Sequence, residues 1–412
     1  MAIRRLRLKN FKSFNVLDVK LGDFNVLIGA NAAGKSNFTQ AFKFMRDIQV
    51  HGLDNAVSLQ GGVEFLRNIN LGPHSPFRLE IHYDDKYLSP SIMTRDKTMG
   101  RINVEQTVYR FEIRFKKTRL GFEVSEDSLV QTGTYRDRSK PDSPARAEIT
   151  YSIENRILKE QVNIFGGETL DHGRVLPSLS LGGGRFRSER WDKKRLLLQT
   201  HLPRIPVIGV YDIDPKLPKK ATPITGKADL DEDGANLAIV VKRIVSNPPT
   251  RRQFANLVKD LLPFINNVKV EKFSDRSLLF KLKEEYFKKR DVPASSISDG
   301  TINILALIAA LYFEDRRLII VEEPERNIHP SLISKVVGMM KEASKAKQVI
   351  VTTQSPEAVK CAGLENLLFV SRDGEGFSDV FRLSDKESIK AFLENDIGIE
   401  ELYVQNLLGV TR

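Results

Sequence analysis

Residues 29–36 read GANAAGKS, a full match to the spacing G-x-x-x-x-G-K-[ST]. The match follows a short apolar run, FNVLI at 24–28, and opens a helix-like run from Lys35 to about Asp47. A strand that turns through glycines into a helix is the setting in which this spacing folds as a phosphate-binding loop. Backbone N–H groups of the loop and of the helix N-terminus aim positive potential at one place. Lys35 is spaced to reach β- and γ-phosphates, and Ser36 offers a hydroxyl to Mg²⁺. The alternative is a glycine-bearing turn with an incidental lysine, against which the strand and helix context argues.

Such a loop needs acidic partners on another strand. LIIVEE at 318–323 is an apolar run ending in two carboxylates. Glu322 is placed to hold Mg²⁺ directly or through water, and Glu323 to polarise an attacking water. SSISDGT at 295–301 runs into INILALIAAL, whose spacing suits a buried helix. Small hydroxyls and a glycine there make an anion site without a lysine. Taken alone, the stretch reads as a capped helix, with Ser298 or Asp299 satisfying orphan amides. VIVTTQSP at 349–356 reads as a buried parallel strand delivering polar side chains, Gln354 among them, to a site.

The 412 residues suffice for one large core or two moderate ones. At 41% hydrophobic and 28% charged, the chain fits an ordinary soluble globular class. Lys and Arg exceed Asp and Glu by 64 to 53. That surplus suits nucleic-acid contact and plain solubility equally. Cys361 is the single cysteine, so neither a disulfide framework nor a cysteine zinc site is available, and a reducing cytoplasm is expected. The opening MAIRRLRLKNF lacks the apolar stretch of a signal peptide, and no window approaches the length of a membrane span.

IRRLRL at 3–8 alternates like a half-buried strand. FRLEIHY, VYRFEIRF, LGFEVSE and AEITYSI, between about 77 and 158, predict an antiparallel sheet. Residues 166–218 are irregular, with GGG at 182–184. Beyond Asp231, helices near 235–246, 251–265, 301–313 and 330–344 alternate with strands near 268–273, 277–283, 318–321 and 348–352. That alternation favours a parallel sheet covered by helices. The division expected is 1–76 with the P-loop, 77–204 as an antiparallel β lobe and insertion, and 205–412 with the remaining motifs.

Two signals are discounted. DLDEDGANLAIV at 229–240 begins like a calcium loop but has Leu237 and Val240 where ligands belong, so a helix entry is expected. RFRSERWDKKR at 185–195 interleaves cations with Phe186 and Trp191, which suits DNA or RNA, or simply a solvated basic loop.

The P-loop, SxSDGT before a helix, hhhhEEPExxxHP and VTTxSP, in this order, resemble the ATP-binding-cassette ATPases of the RecF/SMC/OLD-like group. They look closest to its stand-alone members without coiled coils. The resemblance covers about 1–75 and 205–412. It implies an α/β fold: a P-loop ABC-type ATPase head of mixed or parallel sheet flanked by helices, with an antiparallel β lobe and an irregular insertion. It also implies ATP and Mg²⁺, with Gly29, Ala30, Asn31, Ala32, Ala33, Gly34, Lys35, Ser36 and Asn37 around the nucleotide. LRLKNFKSF at 6–14 is similar to the group's opening strand, which adds Lys12 and Ser13; IGIEELYVQNLLG at 397–409 resembles its tail.

By the same resemblance, Ser36 and Glu322 hold the metal, Glu323 is the catalytic base and Lys35 acts with it. Ser298, Asp299 and Gly300 form a signature that meets the γ-phosphate of a second subunit, and PERNIHP at 324–330 is the D-loop across a homodimer holding two ATP. In the group the strand usually ends TTHSP; here Gln354 replaces the histidine. Glutamine can donate to a phosphate oxygen but carries no charge and shuttles no proton, so slow turnover is expected. The role implied is control of a separate effector, such as a nuclease, in DNA repair or antiphage defence. The alternative is a nucleic-acid-binding scaffold with ATP as a structural ligand.

Overall fold

Phe77–Leu88 and Phe122–Asp137 alternate buried and half-buried residues along most of their length, the two-residue period of a strand with one face on a core. The computed structural model describes all residues except 90–91, 94–98, 117–120, 139, 141, 155–156, 166–168, 173–193, 201–204, 225, 288–289, 388, 390–397, 406–407 and 409–412. Most of the basic–aromatic stretch 185–195, the GGG and part of the tail motif lie outside the described residues. The chain divides into two units, each built from three separate stretches.

The first unit comprises Met1–Gly22, Ser36–Pro206 and Arg372–Val380. Its nine-stranded sheet runs in the order Thr169–His172, Ile157–Ile164, Ala145–Glu154, Phe122–Asp137, Met99–Phe115, Phe77–Leu88, Ile3–Phe11, Phe14–Lys20, with Ile92–Met93 paired to Met99–Phe115. Among the described residues, its strands pair antiparallel throughout. The inner face packs on aromatics: Phe77 lies edge-on to Phe44 of the helix Lys35–His51 at 5.7 Å and to Phe111 at 5.7 Å.

The outer face of the same strands carries an ion-pair lattice. Arg5 donates to Asp18, and Arg7 and Arg110 reach Glu80 at 2.9 and 2.6 Å. Burial alone would raise the Glu80 carboxyl, but hydrogen bonds from His82, Arg110 and Arg7 outweigh it and hold the group at about 2. Asp127 behaves oppositely. It accepts from the Leu197 N–H at 2.6 Å and the Tyr109 hydroxyl at 3.0 Å, yet burial pushes it up to about 7.

The second unit comprises Asp23–Lys35, Val207–Ser371 and Phe381–Arg412. Its sheet runs in the order Ile208–Tyr211, Leu318–Glu322, Gln348–Thr352, Phe24–Ile28, Leu367–Arg372, Ser378–Arg382, and the first five strands are parallel. Phe24–Ile28 and Gln348–Thr352 are buried throughout, the pattern of parallel strands covered on both faces. Helix Asp299–Phe313 is buried from Thr301 to Leu311.

A smaller sheet joins Ile265–Ser274, Ser277–Glu284, Thr222–Pro223 and Val292–Pro293. The helix expected over 251–265 spans Pro248–Leu261 instead. Pro263 supplies no amide and disfavours helical geometry at Leu262, so the chain turns into a strand at Ile265. Residues 229–236 form the turn entering helix Leu237–Ser246, with the Asn236 side chain bonded to Asp231 N and Asp229 O. Among the described residues, no helix is long and apolar enough to cross a membrane.

Candidate nucleotide site

Phe24–Ile28 ends at Gly29, whose φ of 151° and tight packing exclude a side chain: a Cβ there would collide with the Val370 carbonyl oxygen. The loop then turns through Ala32 at φ 61° and Gly34 at φ 119°, closed by an Ala33 N–H bond to Ala30 O at 3.2 Å. Ala30, Asn31 and Ala32 are exposed, whereas Ala33, Gly34 and Lys35 are buried. Lys35 Nζ donates to Gly29 O at 2.7 Å and Ala30 O at 3.0 Å. Burial lowers its pKa, against the pull of Glu323 and Glu325. Helix Lys35–His51 has no acidic residue in its first turn, so nothing there neutralises its positive end.

Leu318–Glu322 lies one strand beyond Gln348–Thr352, with Glu322 in register with Thr352. The next residue, Glu323, takes φ 44° and donates its N–H to Thr352 O at 2.9 Å. Gln354 Nε2 donates to Glu323 Oε1 at 2.6 Å, and Arg326 donates to Oε2 from Nη2 at 2.9 Å and Nε at 3.3 Å. Burial would raise the Glu323 carboxyl, but Arg326, Gln354 and Lys35 outweigh it and hold the group below the usual glutamate range. Gln354 thus directs its side chain at the second carboxylate of the pair.

Three residues here had no individual role in the sequence reading, although Glu325 and Arg326 lie in PERNIHP. Glu325 Oε1 accepts from Thr353 Oγ1 at 2.6 Å and Gln354 N at 3.2 Å, tying EEPE to the end of the VIVTT strand. Its other oxygen, Oε2, is buried without a hydrogen-bond partner. Arg326 and Asp212 meet at 3.0 Å. Glu325 stood inside a quoted motif, so its position was available; Asp212 sits in YDIDP, which carries no motif.

Ser298 caps helix Asp299–Phe313, accepting from Thr301 N at 3.2 Å, and Asp299 is ion-paired with Lys219. Gly300 backs onto the Asn327 carbonyl so closely that a Cβ would clash, and Asn303 Nδ2 donates to Arg326 O at 2.5 Å. The start of helix Asp299–Phe313 and the turn after Glu323 are therefore packed together. His329 serves as the cap of helix Pro330–Ala343, accepting from Ser331 N.

Lys12, Ser13 and Asn37 gather in the first unit. Ser13 Oγ takes Asn37 Nδ2 at 2.8 Å and meets Ser378 Oγ at 2.8 Å, while Lys12 N donates to Leu66 O at 3.0 Å. All three line a cavity of about 700 Å³ with Gln60, Arg67 and Asn68. Burial lowers the Lys12 pKa. Arg67 Nε and Nη1 and Gln60 Oε1 are buried without hydrogen-bond partners, and the Arg67 guanidinium lies 5.9 Å from the Phe115 ring centroid. The covalent chain passes from Lys35 in one unit directly to Ser36 and Asn37 in the other.

A protein of Helicobacter pylori named "ATP/GTP phosphatase" is 23% identical over 367 residues, covering 87% of this chain and 86% of that one. The fold is similar to that of an Smc head solved with the C-terminal winged-helix domain of ScpA, at TM-score 0.51 and 17% identity, over 95% of this chain and all of that one. This likeness establishes an ABC-type ATPase head architecture. Residues 24–360 match the family described as "AAA domain, putative AbiEii toxin, Type IV TA system". With most of its length inside that match, the chain belongs to this AAA-domain family and carries an ATPase of the AAA/SMC-like type.

Proposed function

We propose that this chain binds Mg-ATP, hydrolyses it slowly, pairs with a second copy around two nucleotides, and thereby controls a separate effector. The observation that carries the reading is the convergence of Lys35, Glu323 and Gln354 in one unit, with Glu323 buried enough to feel the Lys35 charge and fixed by a direct bond to Gln354. Residues 29–36 would cradle the phosphates with backbone amides, and Lys35 would exchange its bonds to Gly29 O and Ala30 O for phosphate oxygens. Ser36 and Glu322 would hold Mg²⁺, which when bound supplies charge neutralisation at the β- and γ-oxygens. Glu323 would orient and deprotonate water.

By the resemblance, Lys12, Ser13 and Asn37 would also contribute to nucleotide binding. Ser298, Asp299 and Gly300 would face the nucleotide of a second copy in a two-fold pair. The family's description as a putative toxin of a Type IV system favours a defence role over repair, in a reducing cytoplasm. A nuclease is one form the effector could take, and DNA or RNA one ligand.

The test compares ATP hydrolysis by wild type and Glu323→Gln. A loss of roughly a hundredfold or more in kcat with retained ATP binding supports the reading. Equal, negligible rates favour the second one, a nucleic-acid-binding scaffold in which ATP is structural. That second reading draws on the occupation of both Glu323 oxygens by donors of its own chain.

A further inference from the structure

The carboxylate proposed to activate water is engaged on both sides. Gln354 occupies Oε1 at 2.6 Å, and the Arg326 guanidinium covers Oε2 at 2.9 Å while its Nη1 reaches Asp212 Oδ1 at 3.0 Å. A carboxylate bridged by a guanidinium loses charge density to two-point hydrogen bonding, and the lone pairs turned to the cation are unavailable to water. Arg326 therefore opposes the role that Glu323 is built for.

The bridge is also exposed where it could be undone. The side chains of Arg326 and Asp212 are 47% and 48% exposed, against 29% for Glu323. The Arg326 backbone, by contrast, is fixed: its carbonyl accepts from Asn303 of the signature helix, and the following Asn327 takes φ 63° with its carbonyl against Gly300. A side chain swinging from a pinned backbone can leave Glu323 without disturbing the turn beneath it.

We infer that Arg326 is a positioning residue that holds Glu323 in a resting arrangement, and that a second copy of this chain releases Glu323 by drawing the guanidinium away when residues 324–330 become an interface. This rests on the reading of Glu323 as water-activating and of the signature and EEPE turn as the pairing face. Asp212 keeps the released guanidinium from falling back on Glu323 by offering it a second carboxylate. The consequence is low turnover in the single chain and faster turnover in the pair.

The experiment is steady-state ATP hydrolysis across a range of protein concentrations by wild type, Arg326→Ala, Arg326→Gln, Arg326→Lys, Glu323→Gln and the Arg326→Ala/Glu323→Gln double variant. The inference expects Arg326→Ala and Arg326→Gln to raise kcat in dilute protein roughly three- to tenfold, with KM for ATP within about twofold. It also expects both to flatten the dependence on protein concentration, Arg326→Lys, which keeps the charge but not the multi-point bonding, to fall between wild type and Arg326→Ala, and the double variant to be as inactive as Glu323→Gln. A kcat that falls or stays unchanged in both neutral variants, with Glu323→Gln inactive, overturns the restraint alone. Full activity in Glu323→Gln overturns the reading of Glu323 beneath it. The near-half exposure of Arg326 leaves folding unaffected, which equal melting temperatures verify.

Discussion

Glu323 sits at φ 44°, a region that a residue bearing a Cβ enters at a cost of roughly 1–3 kcal/mol. Its amide is fixed by Thr352 O, and its carboxylate by Gln354 and Arg326, so the strained backbone is over-determined by its neighbours. Gln354 is the revealing partner, because an amide can orient the carboxylate but cannot relay its proton. Gln354→His is expected to raise kcat by about tenfold without changing KM for ATP, since an imidazole adds a titratable donor at the same reach. Steady-state rates that do not rise would count against the proposal that Gln354 slows turnover. Lys35, Glu323 and Gln354 were legible because each lies in a short local pattern. The Arg326–Asp212 contact joins positions 114 apart in sequence, and no local pattern encodes a pairing of that range.

At the scale of elements, the two sheets announce themselves differently. Buried parallel strands are continuous apolar runs, so FNVLI, LIIVEE and VIVTT could be read directly, although nothing in the runs states their order in the sheet. The alternating strands between 77 and 158 were equally legible as an antiparallel sheet. That Ile3–Phe11 pairs with Phe77–Leu88 was not, since register across such a separation is settled by matching faces during packing.

The lattice on the outer face and the buried Asp127 give the first unit two pH responses of opposite sign. Folding lowers the Glu80 pKa from 4.5 to about 2, so its stabilisation is present above about pH 4.5 and is lost as pH falls toward 2. Folding raises Asp127 from 3.8 to about 7, so its folded state favours the protonated form and its contribution declines as pH rises through that window. Melting temperatures measured from pH 3 to 8 are expected to fall less at acid pH in Glu80→Gln than in wild type. Asp127→Asn is expected to gain on wild type as pH rises from 5 to 8. Parallel curves for the three proteins would contradict both assignments.

For the whole molecule, the proposed pairing around nucleotide would make oligomeric state a function of ATP. With Mg-ATP, Glu323→Gln is expected to accumulate at twice the 46.7 kDa chain mass in light scattering, because the bridge forms and is not cut. Ser298→Arg is expected to stay at one chain while still binding ATP, since Ser298, the cap of helix Asp299–Phe313, is on the face proposed to meet the partner. A Glu323→Gln chain that binds ATP and remains single would refute the sandwich.

The position of Phe24–Ile28 between Gln348–Thr352 and Leu367–Arg372 also matters while the protein is being made. This strand leaves the ribosome well before either of its sheet neighbours, which follow it in the chain by more than 300 residues. At synthesis rates of roughly 5–20 residues per second, it waits on the order of tens of seconds with its apolar residues and unpaired backbone uncovered. The phosphate loop therefore acquires its shape only once Gln348–Thr352 and Leu367–Arg372 have emerged. A nascent or truncated chain has no working P-loop, and its FNVLI segment is a natural target for chaperones.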